Sequence, residues 1–410
     1  MPAKTHRTPE NEAPAAAPIA YCTILATNYL PKALALSESL REHENAELHI
    51  LLIDAETPAD LPDVPGVRLL STDFLGLGLE EIHRLAMSYD LVEYATSVKP
   101  VFLARLLETH LRAAYIDPDM YLVSRIPELV EDLDTSDGGL LLTPHFLRPP
   151  GADAFTSEGH MLYAGVFNLG FVAVDRRAAV FLDWWWARLR EECLFDVLGG
   201  LFVDQKWVDL GAVYFAGRAW QHPGYNVSVV NLTERPVGER EGLMTVGHEG
   251  MPLRIFHFHG FDANAPGELS TRFNDSTAGI RGEGSALDRL CHEYADRVLV
   301  WQAKLGAAPA YRYAKDSSGA VLGRQVRRAY RVQSLQEGTA MPSAFTTADA
   351  AAYKAWRRGV LPNISRAVAG DAVKAARATA PEAAAKFKQK FPGVVRLTSR
   401  TVVDKSGLWG

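Results

Sequence analysis

From residue 20 to residue 117, short apolar runs alternate with helix-forming stretches. Residues 20–26 (AYCTILA), 47–53 (ELHILLI), 67–70 (VRLL) and 112–117 (RAAYID) predict strands. Between them, 31–42 opens on Pro31, pre-set for a first helical turn, and continues with good helix formers. Residues 79–95 and 98–111 also predict helices. Apolar runs without polar alternation suit strands buried on both faces. The rhythm therefore predicts an α/β fold: a mixed, mostly parallel sheet flanked by helices.

Beyond residue 119 the pattern changes. Residues 139–143 and 165–174 predict strands, 177–192 a helix carrying Trp184, Trp185 and Trp186, and 202–210 a short helix. Residues 227–232 and 252–258 are strand-like. From about 283 the chain turns helical, over 285–304, 321–334, 348–358 and 370–390. Three regions are expected: a flexible Pro/Ala-rich leader at 1–18, a catalytic-type domain at 19–282, and a helical, basic C-terminal extension at 283–410. The net charge of −6 hides an asymmetry: residues 281–410 carry a balance of +12 and residues 1–280 one of −18. Such a basic region is either a solvated helical surface or a dock for an acidic one, such as the inner face of a membrane.

No segment has the about 18 consecutive apolar residues of a spanning helix, and the N-terminus lacks the apolar middle of a secretory signal. Cys22, Cys193 and Cys291 are odd in number and far apart, which supports neither a disulfide framework nor a thiolate metal site. A cytoplasmic location is the expectation. No GxGxxG follows the first strand and no GxxxxGK[ST] occurs, so the dinucleotide and P-loop phosphate cradles are missing.

Four local features can carry chemistry. In Tyr115-Ile116-Asp117-Pro118-Asp119-Met120-Tyr121, two carboxylates spaced i, i+2 follow a strand. In extended chain they share a side, and such oxygen ligands suit Mg²⁺ or Mn²⁺; the other reading is an acidic turn. Phe256-His257-Phe258-His259-Gly260 places alternate imidazoles at the end of an apolar run, and imidazole shifts the preference toward Mn²⁺. Asp204-Gln205 sits in an apolar setting and is either a helix cap or a set of sugar-hydroxyl partners. Phe167-Asn168-Leu169-Gly170 puts an amide that needs a partner beside a glycine that permits close approach, or else marks a bulge.

In this order along residues 19–262, the four features resemble the GT-A glycosyltransferases, most closely a family-8-like, retaining, DxD-containing bacterial group. The resemblance implies a GT-A-type sheet and a first loop, Ala26, Thr27, Asn28 and Tyr29, that holds the base and ribose. It also implies Asp117 and Asp119 on a metal and a diphosphate, with His257 as the third metal ligand. Lys99, with Arg105 as second choice, would contact the donor. Asn168 would lie at the reacting centre, and Asp204 and Gln205 on the sugar near its anomeric carbon. Relatives often continue HxxGxxKPW, with the lysine on the diphosphate. Here the chain reads HFHGFDANAP, so another cation must serve.

The resemblance implies a hexosyltransferase-like enzyme of bacterial glycan or polysaccharide synthesis. It would use Mn²⁺ or Mg²⁺ and a nucleotide-sugar donor, UDP-linked, with a glycan, a lipid-linked molecule or another hydroxyl compound as acceptor. No nucleic-acid partner is expected. The alternative is a non-catalytic nucleotide-sugar or glycan-binding protein of the same fold. The tryptophan run packs a core, or else Trp207 and one of Trp184–186 line an acceptor groove.

Overall fold

The computed structural model describes residues 19–151, 154–272, 282–337 and 341–362. The expected leader 1–18 and the expected helix 370–390 lie outside the described residues. Residues 19–77 and 95–310 form one compact unit, and residues 78–94 and 311–362 belong to a second.

The strands, in chain order, are β1 (Ala20–Leu25), β2 (Leu48–Leu52), β3 (Arg68–Leu70), β4 (Arg112–Ile116), β5 (Met120–Leu122), β6 (Leu140–Pro144), β7 (Phe167–Asp175), β8 (Phe195–Asp196), β9 (Leu201–Phe202), β10 (Arg218–Ala219), β11 (Val227–Ser228), β12 (Val237–Arg240), β13 (Leu243–Val246), β14 (Met251–Pro252) and β15 (Ile255–His257). The main sheet has seven strands in the order β10-β6-β7-β4-β1-β2-β3. Its pairings are parallel except the two made by β7, which are antiparallel. This is the mixed, mostly parallel α/β sheet that the apolar runs predict. Every residue of β1 and β2 is buried, as a sheet covered on both faces requires. The helices up to residue 214 are, in chain order, α1 (Leu30–Glu44), α2 (Leu79–Ser88), α3 (Leu91–Ser97), α4 (Lys99–Leu107), α5 (Glu128–Asp134), α6 (Glu158–Ala164), α7 (Ala179–Glu192) and α8 (Gln205–Tyr214).

Two smaller features set up the site. A second sheet, in the order β11-β15-β5, places His257 opposite Met120 on one side and Ser228 on the other. The helix Ala286–Leu305 packs on α1 within the first unit, where Arg297 bonds Glu42 at 2.7 Å. It therefore lies N-terminal to the 310/311 division between the units, whereas the sequence reading groups it with the C-terminal extension.

Some elements differ from their sequence expectations for local reasons. The helix expected over 79–95 breaks in two because Asp90 and Glu93 bond each other's backbone N–H, which starts α3 afresh. The strand expected over 227–232 stops after two residues, since Ser228 and Asn231 form a capping box for a single 3-10 turn.

In the second unit, Leu322, Val326, Tyr330 and Tyr353 pack with Met87. The buried Arg327 donates to the carbonyls of Ala86 and Tyr89, satisfying the end of α2. Further helices cover Arg324–Glu337 and residues 350–362. Among the described residues no helix is long and apolar enough to cross a membrane.

His49, buried on β2, should make the first unit less stable in acid. Its Nδ1 bonds the Tyr21 carbonyl at 3.1 Å, and its Nε2 has no partner among the described residues. Burial, then the nearby Arg68 guanidinium, lowers its pKa to about 4 from an ordinary 6.5. A base whose folded pKa is depressed stabilises the fold above the unfolded pKa, and that contribution is lost as pH falls from 6.5 toward 4. Linkage gives a loss of about 2 kcal/mol between pH 8 and pH 5. Thermal melts over that range should show this loss, and His49→Phe should flatten the slope.

Candidate active site: a carboxylate–imidazole group at the carboxyl edge of the sheet

The parallel strands β1, β2 and β4 end side by side, and their following residues share the carboxyl edge where open α/β sheets bind ligands. After β1 comes the loop Ala26–Tyr29, with Asn28 and Tyr29 exposed. After β2 comes Asp54, whose Oδ1 accepts from the backbone N (2.9 Å) and hydroxyl (2.7 Å) of Thr27. This carboxylate fixes the first loop, and no motif in the sequence marks it. After β4 comes Asp117.

Asp117, Asp119 and His257 each offer a ligand atom within 4.8 Å of the others. His257 Nε2 lies 3.2 Å from Asp119 Oδ1 and 3.8 Å from Asp117 Oδ2. Backbone pairing makes the group. The Asp117 N–H continues the β4–β7 ladder to the Gly170 carbonyl at 2.7 Å, and the Phe258 N–H bonds the Asp119 carbonyl at 2.9 Å. Gly170 is required by close approach: a Cβ there would lie 2.7 Å from His257 Cε1 and 2.7 Å from Met120 Cε. The glycine's role in permitting close approach was legible in the sequence, whereas the approaching group was not.

Burial and mutual charge shift all three groups. Burial pushes Asp119 up, but the His257 imidazole outweighs it and holds the carboxyl at about 2. Burial raises Asp117, against the pull of Lys99 and His257. Burial lowers His257, yet Asp119 and then Asp117 raise it above the ordinary imidazole value. His259 stands beside it with ring centroids 5.5 Å apart. Burial, then His257, lowers its pKa to about 3, and its neutral Nε2 accepts from Arg272 at 2.6 Å.

Lys99 is buried and pairs with Asp204 Oδ2 at 2.6 Å, donates to the Leu169 carbonyl at 3.0 Å, and sits 4.0 Å from the Tyr115 ring centroid. Tyr115 in turn donates to Asp117 Oδ1 at 2.7 Å. Lys99 thus links Asp204 to the acidic pair instead of standing as an isolated cation. Arg105 bonds the Phe74 carbonyl and Glu108, and among the described residues no bond joins it to the group. The cations beside the group are ones that sequence reasoning missed. Lys32 is one of the charges that lower Asp119, and Arg272 lies against His259. Both lie far from Asp117 in sequence, so no local motif marks them.

Asp204 takes the N-cap position of α8, but its side chain caps nothing; the carboxylate goes to Lys99. The preceding Val203 has φ 42°, a left-handed conformation costly for a β-branched residue. Strain of this kind, about 1–3 kcal/mol, gathers at functional turns. The Gln205 amide donates to the Ala164 carbonyl at 2.9 Å and meets His145 at 3.2 Å. Asn168 Oδ1 accepts from Gly170 N at 3.0 Å. Trp185 is fully buried and donates to the Asp204 carbonyl at 3.1 Å, so it packs the core behind this turn, while Trp184 meets Trp207 edge-on with centroids 6.3 Å apart.

No protein-family model matches the chain. Among curated proteins it is similar to the uncharacterized protein YfnF of Bacillus subtilis (strain 168), with 27% identity over 249 residues covering 59% of this chain and 81% of that protein. Among solved structures it is similar to the galactosyltransferase LgtC in complex with donor and acceptor sugar analogs, with 17% identity, 70% of this chain and 97% of that chain covered, and a TM-score of 0.37. It is also similar to the glycosyltransferase GlyE of Streptococcus pneumoniae TIGR4, with 14% identity, 72% and 66% covered, and a TM-score of 0.38.

Proposed function

We propose that the chain is a metal-dependent glycosyltransferase that moves a sugar from a nucleotide-diphosphate sugar, UDP-linked, to an acceptor hydroxyl with retention at the anomeric carbon. The observation that carries this reading is the group Asp117, Asp119 and His257 at the carboxyl edge, joined through Tyr115 and Lys99 to Asp204. Two carboxylates and an imidazole suit Mn²⁺, or Mg²⁺ with less preference. A divalent ion held there supplies Lewis-acid charge to a departing diphosphate.

The remaining work falls to the chain's own residues. Asn28 and Tyr29, on a loop that Asp54 holds through Thr27, face the base and ribose. Lys32 and Arg272 add positive charge for the leaving group, in place of the absent HxxGxxK lysine. Asn168 and the Asp204-Gln205 pair orient the sugar. Because Asp204 Oδ2 is bound to Lys99, its electron pair is less available to attack carbon. That favours a front-face path, in which the leaving phosphate oxygen takes the acceptor's proton, over a double displacement through Asp204.

Calorimetric titration of UDP, GDP and dTDP, with Mn²⁺ and with chelator, tests the reading. One nucleotide should bind with Mn²⁺ and lose its affinity in chelator. If no nucleoside diphosphate binds in either condition, the donor site does not exist.

A further inference from the structure

Among buried polar groups that the transfer chemistry leaves unassigned, Asn226 stands out. It is 1% exposed and sits just before β11 with φ 53°, in the left-handed region that asparagine tolerates better than most residues. Its backbone is gripped from two sides. Asn231 Nδ2 donates to the Asn226 carbonyl at 3.2 Å, and the buried Arg235 donates to the carbonyl of Tyr225 at 3.1 Å.

The side-chain amide has one consistent orientation. Asn226 Nδ2 lies 2.8 Å from the Asn168 carbonyl oxygen and 2.8 Å from Thr143 Oγ1. A carbonyl only accepts, so the amide nitrogen must face it. That leaves Oδ1 toward His257 Nδ1, at 3.1 Å. An amide oxygen only accepts, so Nδ1 must carry the proton. In the neutral ring the lone pair is then on Nε2, the atom 3.2 Å from Asp119. The Cε1–Nδ1 edge of the ring rests against Gly170, where no Cβ fits.

We infer that Asn226 is the positioning residue that sets the tautomer and orientation of His257, presenting Nε2 to a divalent cation between Asp117 and Asp119. The inference rests on the metal-site reading proposed above. It also links that ligand to the Asn168 strand, because the same amide bonds the Asn168 carbonyl. Outer partners of metal-bound histidines are worth about 10- to 100-fold in metal affinity.

The test uses the full chain and Mn²⁺ alone, with free Mn²⁺ read by electron paramagnetic resonance. Asn226→Gly keeps the left-handed backbone without strain and removes the amide. It should weaken Mn²⁺ binding by about 10- to 100-fold while far-UV circular dichroism stays that of the wild type. Asn226→Asp keeps an acceptor for Nδ1–H and should bind Mn²⁺ more tightly than Asn226→Gly, an order that a merely structural role would not produce. Should Asn226→Gly not fold, Asn226→Asp carries the test by ¹⁵N resonances of His257 in the Mg²⁺-loaded protein, which should show the proton on Nδ1. Unchanged Mn²⁺ affinity in Asn226→Gly, or a proton on Nε2, overturns the inference while leaving the metal site standing. Wild-type protein that binds no Mn²⁺, or binding that survives Asp119→Ala, overturns the metal-site reading and the inference with it.

Discussion

Replacing Asp119 with asparagine should lower Mn²⁺ affinity by on the order of 100-fold or more and abolish metal-dependent sugar transfer, while the melting temperature in chelator moves by only a few degrees. The first half follows from the ligand set. Asp119 is the carboxylate nearest His257 and the one held most acidic. Losing an anionic ligand costs more than losing an outer partner, for which 10- to 100-fold is usual. The second half follows from charge. Asp117 and Asp119 repel each other in a buried site, and Asp119 is one cause of the raised Asp117. Removing one carboxylate relieves that repulsion, and Asp117 remains within 3.8 Å of His257 as a partner. Mn²⁺ titration and chelator melts of the same preparation measure both halves. Transfer at wild-type rate would remove the group from the chemistry.

The main sheet was legible because each of its central strands is a continuous apolar run, and burial on both faces writes itself directly into composition. The short elements were not. β5, β11 and β15 hold two or three residues each, too few for any period to show. Yet they bring His257 to Asp119, since Met120 and Ser228 flank it across the small sheet. The same limit explains the α2–α3 break, where one Asp90–Glu93 capping box outweighs a helical pattern that runs through it.

Of the candidate residues, those carried by a compact motif were legible as candidates in the sequence: Asp117 and Asp119, His257, Asp204 and Gln205, Asn168. Residues that act through a long-range contact were not. Asp54 reads as the end of a strand, Lys32 as an ordinary helix charge, and Arg272 as a loop cation. Asn226 did leave a signal, the same one that singled out Asn168. An amide between Tyr225 and Val227, inside an apolar run, has to find partners when buried. Only the pairing of β11 with β15 shows that one partner is a candidate metal ligand.

Lys99→Met should destabilise the first unit by about 3–5 kcal/mol, the usual cost of leaving a buried charge unpaired. For a unit of this size that lowers the melting temperature by on the order of 10 °C. Both partners are almost fully buried, at 2% and 4% side-chain exposure, and the Nζ–Oδ2 distance is 2.6 Å. With Lys99 gone, the buried Asp204 carboxyl loses its ion-pair partner in a turn that the left-handed Val203 already strains. Asp204→Leu should cost a similar amount by stranding the ammonium. The double variant Lys99→Met/Asp204→Leu should recover most of the loss, because replacing a buried ion pair with apolar groups of similar volume is often neutral. Melting curves of the four proteins form a double-mutant cycle that isolates the pair. Transfer activity separates the two roles of Asp204. If the carboxylate only balances Lys99, the double variant regains activity along with stability. If it orients the sugar, the double variant refolds and stays inactive, and the second result is the one that the Asp117–Tyr115–Lys99–Asp204 connection leads us to expect.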